Sequence, residues 1–446
     1  MGYFTSKSLK LIMSLGLPAQ EPVLIGEPEF QPAGIGEQGA AASLDVIDLV
    51  QQKSTAPRPS AAVIEASRFT EPGLLASIVV QFTGRCNLRC VYCPQGTDLN
   101  QHNYDDAEAK LLTDIAGYIE KQEIQSVHLG VYGETLVYEG WPRFAQAYLD
   151  AGASLSVTTN LSKHLSDEEL DVLSRFNLIF VSIDTLDLPL LKKIRTTDGR
   201  LVLYNFHRVR SYALQKARTV PNFAWSVTVS TAVIPHLEAM LPLAKRYGVK
   251  YLFMNDLSSY EGLEHGLQNI FELDGAEFAA AAATLDRALA FCSRAGIQAN
   301  APWKERLDKE RQARKNAPAG RGTAENTEQL HYTNIQGSAL WYSEPLAPGM
   351  TRMCLQPWNS MVVMPKGEIY TCCQRGVSMG YAKSAAELDD VRNGPEYVDL
   401  RGQLMSGQVT DETCRNCQTM PAVTPDKLMD GIRNMIYAKD AKNSKR

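Results

Sequence analysis

Cys86, Cys90 and Cys93 stand within the stretch "GRCNLRCVYCPQG", residues 84 to 96, at spacing C-x3-C-x2-C. Thiolates are nucleophiles and metal ligands, so three this close suit a disulfide knot, a zinc site or an iron–sulfur cluster. Zinc usually takes four ligands in two pairs. Three cysteines with no fourth ligand nearby fit a site that keeps one metal coordination position open. Cys354, Cys372, Cys373, Cys414 and Cys417 form a second set far down the chain. Cys414 and Cys417 are a C-x2-C pair, which by itself serves zinc equally well. Adjacent backbone rarely turns two neighbouring side chains onto one metal group, so Cys373 is a spare thiol or a substitute for Cys372. The ninth cysteine, Cys292 in "LDRALAFCSRAG", lies on the apolar face of a helix and reads as a core thiol.

The elements that must position these residues begin at residue 76. The segments "ASIVVQF", "QSVHLGVYG", "ASLSVTTN", "LIFVSID", "AWSVTVSTAV" and "VKYLFMN" are short, apolar or β-branched, and bounded by turns, which predicts six strands. Helical patterns lie between and after them, at 104–122, 139–151, 166–174, 201–216, 236–247 and 275–295. Near-continuous apolar strands alternating with helices predict parallel βα units. Six of them make the fold class α/β, with a partial (β/α)6 barrel over residues 76–300. Chemistry in such folds collects at the carboxyl ends of the strands, and the cysteine triplet directly follows the first strand. Residues 1–75, rich in Gly, Pro, Ala and Gln, read as an irregular N-terminal extension with one helix around 44–51. Residues 301–345 read as a polar linker. Residues 346–425 read as a small α+β domain with strands in "NSMVVMPKGEIYTCC" and a helix near "SAAELDDV". A helix and basic tail over 426–446 close the chain.

The bulk numbers exclude several classes. A formal net charge of −5 gives no reason to expect nucleic acid or an anionic membrane as partner. No apolar run approaches the roughly 20 residues that span a bilayer. The stretch "LKLIMSLGLPA" has a short, interrupted apolar core and reads as an amphipathic helix instead of a leader. Nine cysteines, an odd number, are too dilute for a disulfide scaffold in a chain of 446 residues, and a reducing cytoplasm suits them better.

The motif "CNLRCVYC" resembles the signature of the radical S-adenosylmethionine (radical SAM) family, in which an aromatic residue precedes the third cysteine. The resemblance implies that Cys86, Cys90 and Cys93 hold three irons of a 4Fe–4S cluster whose fourth iron is chelated by SAM. It implies reductive cleavage of SAM to a 5′-deoxyadenosyl radical, which abstracts a substrate hydrogen. "GVYGETL" is similar to the family's Gly-Gly-Glu strand end, with Gly133 and Glu134 at its last two positions and Tyr132 where the first glycine usually stands. Glu134 would then accept from the SAM ammonium. "TTN" and "VSID" resemble the ends of the third and fourth strands, where Asn160, Ser182 and Asp184 would face SAM or the substrate. Arg195 in "KKIRTTDG" matches an arginine that pairs with the SAM carboxylate, and Tyr92 would lie near the adenine.

Cys354, Gly367 and Cys372 fit C-x(9–15)-G-x4-C, which resembles the opening of the SPASM and twitch auxiliary-cluster domains. No cysteine follows Cys417, so the pattern looks like the one-cluster twitch form. Its spacing is closer to that of the inosamine dehydrogenase of butirosin biosynthesis than to two-cluster peptide maturases. The resemblance implies an auxiliary 4Fe–4S cluster on Cys354, Cys372, Cys414 and Cys417, saturated by thiolates and serving as electron acceptor. A flavodoxin- or ferredoxin-type donor would supply the first electron.

Three reactions follow from these expectations. The first is oxidation of a carbinol carbon in a sugar, cyclitol or similar metabolite. The second is thioether or carbon–carbon crosslinking of a ribosomal precursor peptide. The third is epimerisation, for which Tyr132, Cys373 or Cys292 would return the hydrogen atom. A non-catalytic iron–sulfur or zinc protein is the alternative of another class. His128, Tyr132, Asn255, Asp256 and Tyr260 are the candidates for facing substrate.

Overall fold

The computed structural model describes Ser67, Arg68, Thr70 and residues 74–95, 97, 105–130, 132–257, 263, 265–301, 304–316, 331–333, 339–341, 346–417 and 419–443. The expectations for the N-terminal extension before residue 67, and Tyr260, lie outside the described residues. The barrel elements run in the expected order: β1 (Ser77–Val80), α1 (Ala109–Gln122), β2 (Ser126–Leu129), α2 (Trp141–Asp150), β3 (Ser154–Thr159), α3 (Asp167–Leu173) and β4 (Leu178–Ser182). They continue with α4 (Leu188–Arg195), α5 (Gly199–Gln215), β5 (Asn222–Val229), α6 (Ile234–Arg246), β6 (Tyr251–Asp256), α7 (Gly275–Ala295) and β7 (Gln298–Asn300). Local signals start several of these helices. Ser166 and Glu169 form a capping box on α3, Asp187 caps α4, and prolines stand in the first turns of α2, α4 and α6.

β1 to β7 pair in parallel and in sequence order. The strands are not apolar throughout, as near-continuous runs had implied, but alternate. Ile78, Val80, Val127, Leu129, Leu155, Val157, Ile179, Val181, Trp225, Val227, Leu252 and Met254 are buried on one face. The residues between them, among them Val79, His128, Ser156, Phe180, Ser182, Ser226, Thr228 and Phe253, are half-buried, and Thr158 and Asn255 are exposed. A sheet that curls into an open barrel buries its outer face under helices and leaves its inner face to a water-accessible lumen, which is the reason for the alternation.

The polar stretch after residue 300 opens with a helix, α8 (Lys304–Asn316), followed by the hairpin β8 (His331–Thr333) and β9 (Ala339–Trp341). Arg311 of α8 donates to Asp286 at 2.6 Å and Arg314 to the Phe271 carbonyl at 3.0 Å, so the helix docks through its charges. Beyond it come β10 (Thr351–Arg352), α9 (Gln356–Asn359), β11 (Ser360–Val363), β12 (Glu368–Tyr370) and β13 (Gly380–Tyr381). The chain finishes with α10 (Ala385–Arg392), α11 (Pro395–Ser406), α12 (Glu412–Arg415), β14 (Ala422–Val423) and α13 (Pro425–Asn443). The C-terminal region does not build a sheet of its own around β11. Ser360–Val363 pairs in parallel with Ser77–Val80, so the sheet continues through β11, β12 and β13 and reaches ten strands.

Candidate functional site

The three N-terminal cysteines share one loop at the carboxyl end of β1. Its course is fixed from several sides. The Val91 amide donates to the Ile194 carbonyl at 2.8 Å, and the Arg89 amide to the Thr196 hydroxyl at 2.9 Å. Gln95 closes the loop onto the Gly84 carbonyl. Two contacts reach the sulfurs directly: the Leu88 amide lies 3.4 Å from Cys86 Sγ, and the Asn160 amide nitrogen 3.8 Å from the same sulfur. Burial raises Cys86 to about 12 and Cys90 to about 11, and it raises Cys93 as well. Glu134 adds to the rise at Cys86, whereas Arg195 counters it at Cys90. Thiols so placed are neutral by themselves and become thiolates on binding metal, which fits a cluster held by three of them.

Glu134 follows β2 and is 2% exposed. Its carboxylate accepts from the Leu136 amide at 3.1 Å, the Thr159 hydroxyl at 2.8 Å and the Asn160 amide at 2.7 Å. Three of the roughly four lone-pair positions of a carboxylate are therefore taken by protein, and one is open to an ammonium. Burial nevertheless raises its pKa. Gly133 has φ +70°, and a Cβ there would lie 2.7 Å from the Thr83 carbonyl oxygen, so only glycine fits. Tyr132, in the place of a glycine, is held differently. Gln81, at the end of β1, accepts from the Tyr132 amide at 3.0 Å and donates back to its carbonyl at 2.5 Å. Its ring is 6% exposed and packs with Val362, Met364 and Tyr370, so Tyr132 is a wall and not the open hydrogen donor that epimerisation would need.

Asp184 and Arg195 correct the expectation in another way. They pair with each other: Arg195 donates to both carboxylate oxygens, at 2.7 and 2.8 Å. The Tyr92 hydroxyl donates to Asp184 at 2.8 Å, and so does the Thr228 amide at 2.8 Å. With four donors its capacity is filled, and no position is left for a ribose. The Arg195 guanidinium lies 5.5 Å from the Tyr92 ring centroid, and the fully buried Asp184 holds its pKa well up despite desolvation. The trio therefore fixes the cysteine loop against β4 and β5, and only the remaining edge of Arg195 can meet a ligand carboxylate. Asn160 is turned to the loop as well, donating to Asn87 at 2.9 Å. Ser182 alone of that strand-end set stands half-buried on the lumen face.

The lumen itself carries uncharged groups. His128 contacts the hydroxyls of Ser156 and Thr158 at 2.9 and 3.1 Å, and Asn255 donates to Ser226 at 2.9 Å. Phe180 lies edge-on to both His128 and Phe253, at 5.7 and 5.0 Å. Burial pushes His128 down to about 4, so it is neutral. Asp256 is taken out of the substrate set by Asn269, which donates to it at 2.8 Å, and by Arg306 at 3.6 Å. Cys292 is fully buried in α7, as expected of a core thiol.

The second cysteine set gathers in the C-terminal region. Burial raises Cys372 to about 12 and raises Cys354 and Cys414, and repulsion among Cys354, Cys372, Cys414 and Cys417 adds to it. Cys354, Cys372, Cys414 and Cys417 act on one another electrostatically and so share one neighbourhood, to which Cys373 also belongs through Cys372 and Cys417. Among the described residues no three Cys, His, Asp or Glu side chains close on one point as the ligands of a single ion do. Cys373 is exposed beside this group, three residues beyond the end of β12. The loops are tied together by Arg375, which donates to Asp411 at 2.9 Å, while Asp411 caps the Cys414 amide at 2.9 Å. Arg352 donates to the carbonyls of Cys414 and Arg415 at 3.2 and 2.7 Å. Gly367, with φ +87°, turns β11 into β12, and any side chain there would collide with the Ala382 carbonyl. Sequence reasoning missed Gln81, which holds the Tyr132 backbone, Thr83, whose hydroxyl donates to Asp106 at 2.5 Å beside the cysteine loop, and Glu368, buried at the start of β12. Only Gln81 left a signal, a lone polar residue ending an apolar strand.

The profile of the Radical SAM superfamily matches residues 80–224. That of SPASM, an iron–sulfur cluster-binding domain, matches residues 354–418. No protein of curated function matches the chain in sequence. Among solved structures, Streptococcus suis SuiB bound to S-adenosylmethionine superposes with TM-score 0.53 and 13% identity, over 82% of this chain and 78% of that one. SuiB bound to precursor peptide SuiA superposes with TM-score 0.51 and 13% identity, over 89% and 77%. At that identity the likeness is one of fold. BtrN in complex with AdoMet and 2-DOIA gives TM-score 0.34 and 13% identity over 78% and 94%, too slight a likeness to argue from. Among the described residues, no helix is long and apolar enough to cross a membrane.

Proposed function

We propose that this chain, a radical SAM enzyme with a C-terminal SPASM domain, oxidises an alcohol carbon of a sugar, cyclitol or similar polar metabolite seated in the barrel lumen. The observation that carries this reading is the lumen surface. His128, Ser156, Thr158, Ser182, Ser226 and Asn255 offer uncharged donors and acceptors, interleaved with Phe180 and Phe253. Hydroxyl-rich rings are recognised by such a mixture of hydrogen bonds and aromatic faces. Neither Cys292 nor Cys373 stands on the lumen strands, which favours removal of hydrogen over its return to the opposite face.

When bound, a 4Fe–4S cluster with SAM would supply a hydrogen-abstracting 5′-deoxyadenosyl radical, an auxiliary cluster would accept the remaining electron, and the hydroxyl proton would leave to solvent. The residues prepare that chemistry. Cys86, Cys90 and Cys93 hold the first group, Glu134 keeps one acceptor position for the SAM ammonium, and Asp184 locks Arg195 and Tyr92 behind the loop. His128 is neutral above about pH 4 and exchanges hydrogen bonds with substrate hydroxyls instead of carrying charge. Cys354, Cys372, Cys414 and Cys417 hold the second group. A flavodoxin- or ferredoxin-type protein is the reductant this scheme requires.

The test is anaerobic reconstitution with iron and sulfide, followed by dithionite, SAM and a panel of sugars and cyclitols. The expected outcome is 5′-deoxyadenosine matched by a ketone two hydrogens lighter than the substrate. A product of unchanged mass, turnover with peptides alone, or zinc in the C-terminal site would overturn the reading.

A further inference from the structure

Where β12 extends the barrel sheet, a carboxylate is buried with one oxygen unsatisfied. Glu368 opens β12, is 8% exposed, and its Oε2 has no hydrogen-bond partner. A charged group buried in this way is costly, and function is one of the few reasons for a fold to keep it. Its direction follows from strand pairing, because alternate residues share a face and so do paired ones. Glu368 stands with Tyr370, which pairs with Val362, which pairs with Val79, which pairs with His128. That is the lumen face. The turn at Gly367 places Glu368 at the carboxyl end of the strands, the end that carries the cysteine loop and Glu134.

The surroundings select for a cation. Tyr132, Val362, Met364 and Tyr370 give an apolar wall, and both Asp105 and Glu368 act on the Tyr132 phenol. The nearby positive groups have their direct partners elsewhere, and Lys366 reaches Glu368 only through space. Lys366 is paired with Asp105 at 2.6 Å, and Arg375 with Asp411 at 2.9 Å. We infer that Glu368 is a specificity-determining residue that accepts a protonated amine of the substrate at the edge of the lumen. The inference rests on the lumen being the substrate site, as proposed above. A carboxylate in such a wall discriminates against a neutral hydroxyl, because only a cation also cancels its charge. An amino sugar and a lysine side chain carry the same ammonium chemistry.

The experiment uses the reconstituted full chain and follows its thermal unfolding midpoint, which rises with ligand bound to the native state. Glucosamine and Nα-acetyl-lysine amide are titrated against their neutral counterparts, glucose and the diacetylated lysine amide. One of the amines is expected to stabilise the chain saturably while its neutral counterpart does not, and which one acts identifies the source of the ammonium. Glu368→Gln is expected to weaken that binding roughly tenfold or more, as loss of a charge-assisted hydrogen bond does. Glu368→Asp, which keeps the charge on a shorter stem, is expected to retain the preference for the amine at reduced affinity. Equal behaviour of amines and neutral counterparts, absence of any effect included, would overturn the inference. So would a preference that survives in Glu368→Gln. Amine binding is read without turnover, so failure to form 5′-deoxyadenosine in the same samples counts against the proposed reaction and not against Glu368.

Discussion

Asp184 illustrates why residue type alone misassigned a role. An aspartate at the end of a barrel strand reads as a ligand contact, yet its four acceptor positions are filled by Arg195, Tyr92 and the Thr228 amide. Those partners come from three separate segments, and nothing local in "VSID" announces them. The cysteines were legible because their spacing is local and their chemistry narrow. His128 lies between these cases, a strand histidine whose neighbours decide its charge. Burial lowers it from 6.5 to about 4, so the unfolded chain binds the proton more readily than the folded one. Its contribution to stability is complete above about pH 6.5 and declines as the pH falls toward 4. Imidazole resonances of the folded chain, followed by NMR through an acid titration, should show one histidine with a midpoint near 4. A His128→Gln variant should lose that resonance and part of the acid sensitivity. His207 is lowered by burial and by Arg210, so the assignment needs the variant. A midpoint near 6.5 for the resonance lost in the variant would refute a buried neutral imidazole.

At the scale of elements, the sequence pattern located the six barrel strands and most helices closely, since apolar periodicity and end caps are short-range signals. It missed α4, α11 and the helix that opens the polar stretch. α8 has scarcely any apolar face, so periodicity cannot find it, and its anchoring by Arg311 and Arg314 is tertiary. The C-x-G-x-C element is legible as a motif, while its reason is visible only in space. Gly367 has φ +87° and faces the Ala382 carbonyl, whose own chain neighbour Ala382 N donates to Gly367 O at 2.8 Å. Gly367→Ala should therefore spread the β11–β12 turn that carries Cys372, at a cost of about 1–3 kcal/mol for the disfavoured backbone alone. Iron per chain after reconstitution should drop from about eight toward about four, the barrel cluster remaining. Gly266, also at positive φ but with nothing within 4 Å, is the control, and Gly266→Ala should leave the iron content unchanged. Equal iron in both variants would show that the turn does not position the second set.

At the scale of the molecule, the C-terminal region is part of the barrel's construction. Residues 53–446 form one compact unit. β1 has β2 on one side and β11 on the other, and its pairing with β11 spans more than 280 residues of sequence, beyond what any local pattern encodes. The junction is reinforced at its rear. Trp358 donates to the Ser67 carbonyl at 2.7 Å, the buried Arg401 to the Arg68 carbonyl at 2.9 Å, and the Thr70 amide to Asn393 at 2.9 Å. Cutting the chain after residue 345 would remove β11 and leave Ser77–Val80 as an open edge. Its sequence, SIVV, has no charge or proline to discourage pairing with another copy. The truncated chain is expected to aggregate, while the full chain unfolds in a single transition seen alike by far-UV circular dichroism and by cluster absorbance. Size-exclusion chromatography of the truncated chain and two-probe melting of the full one make the comparison. A soluble monomeric barrel, or two separated transitions in the full chain, would mean that the shared sheet is a contact between independent domains. A single transition would instead make barrel and cluster domain one folding unit, in which damage at either cysteine set is felt at the other.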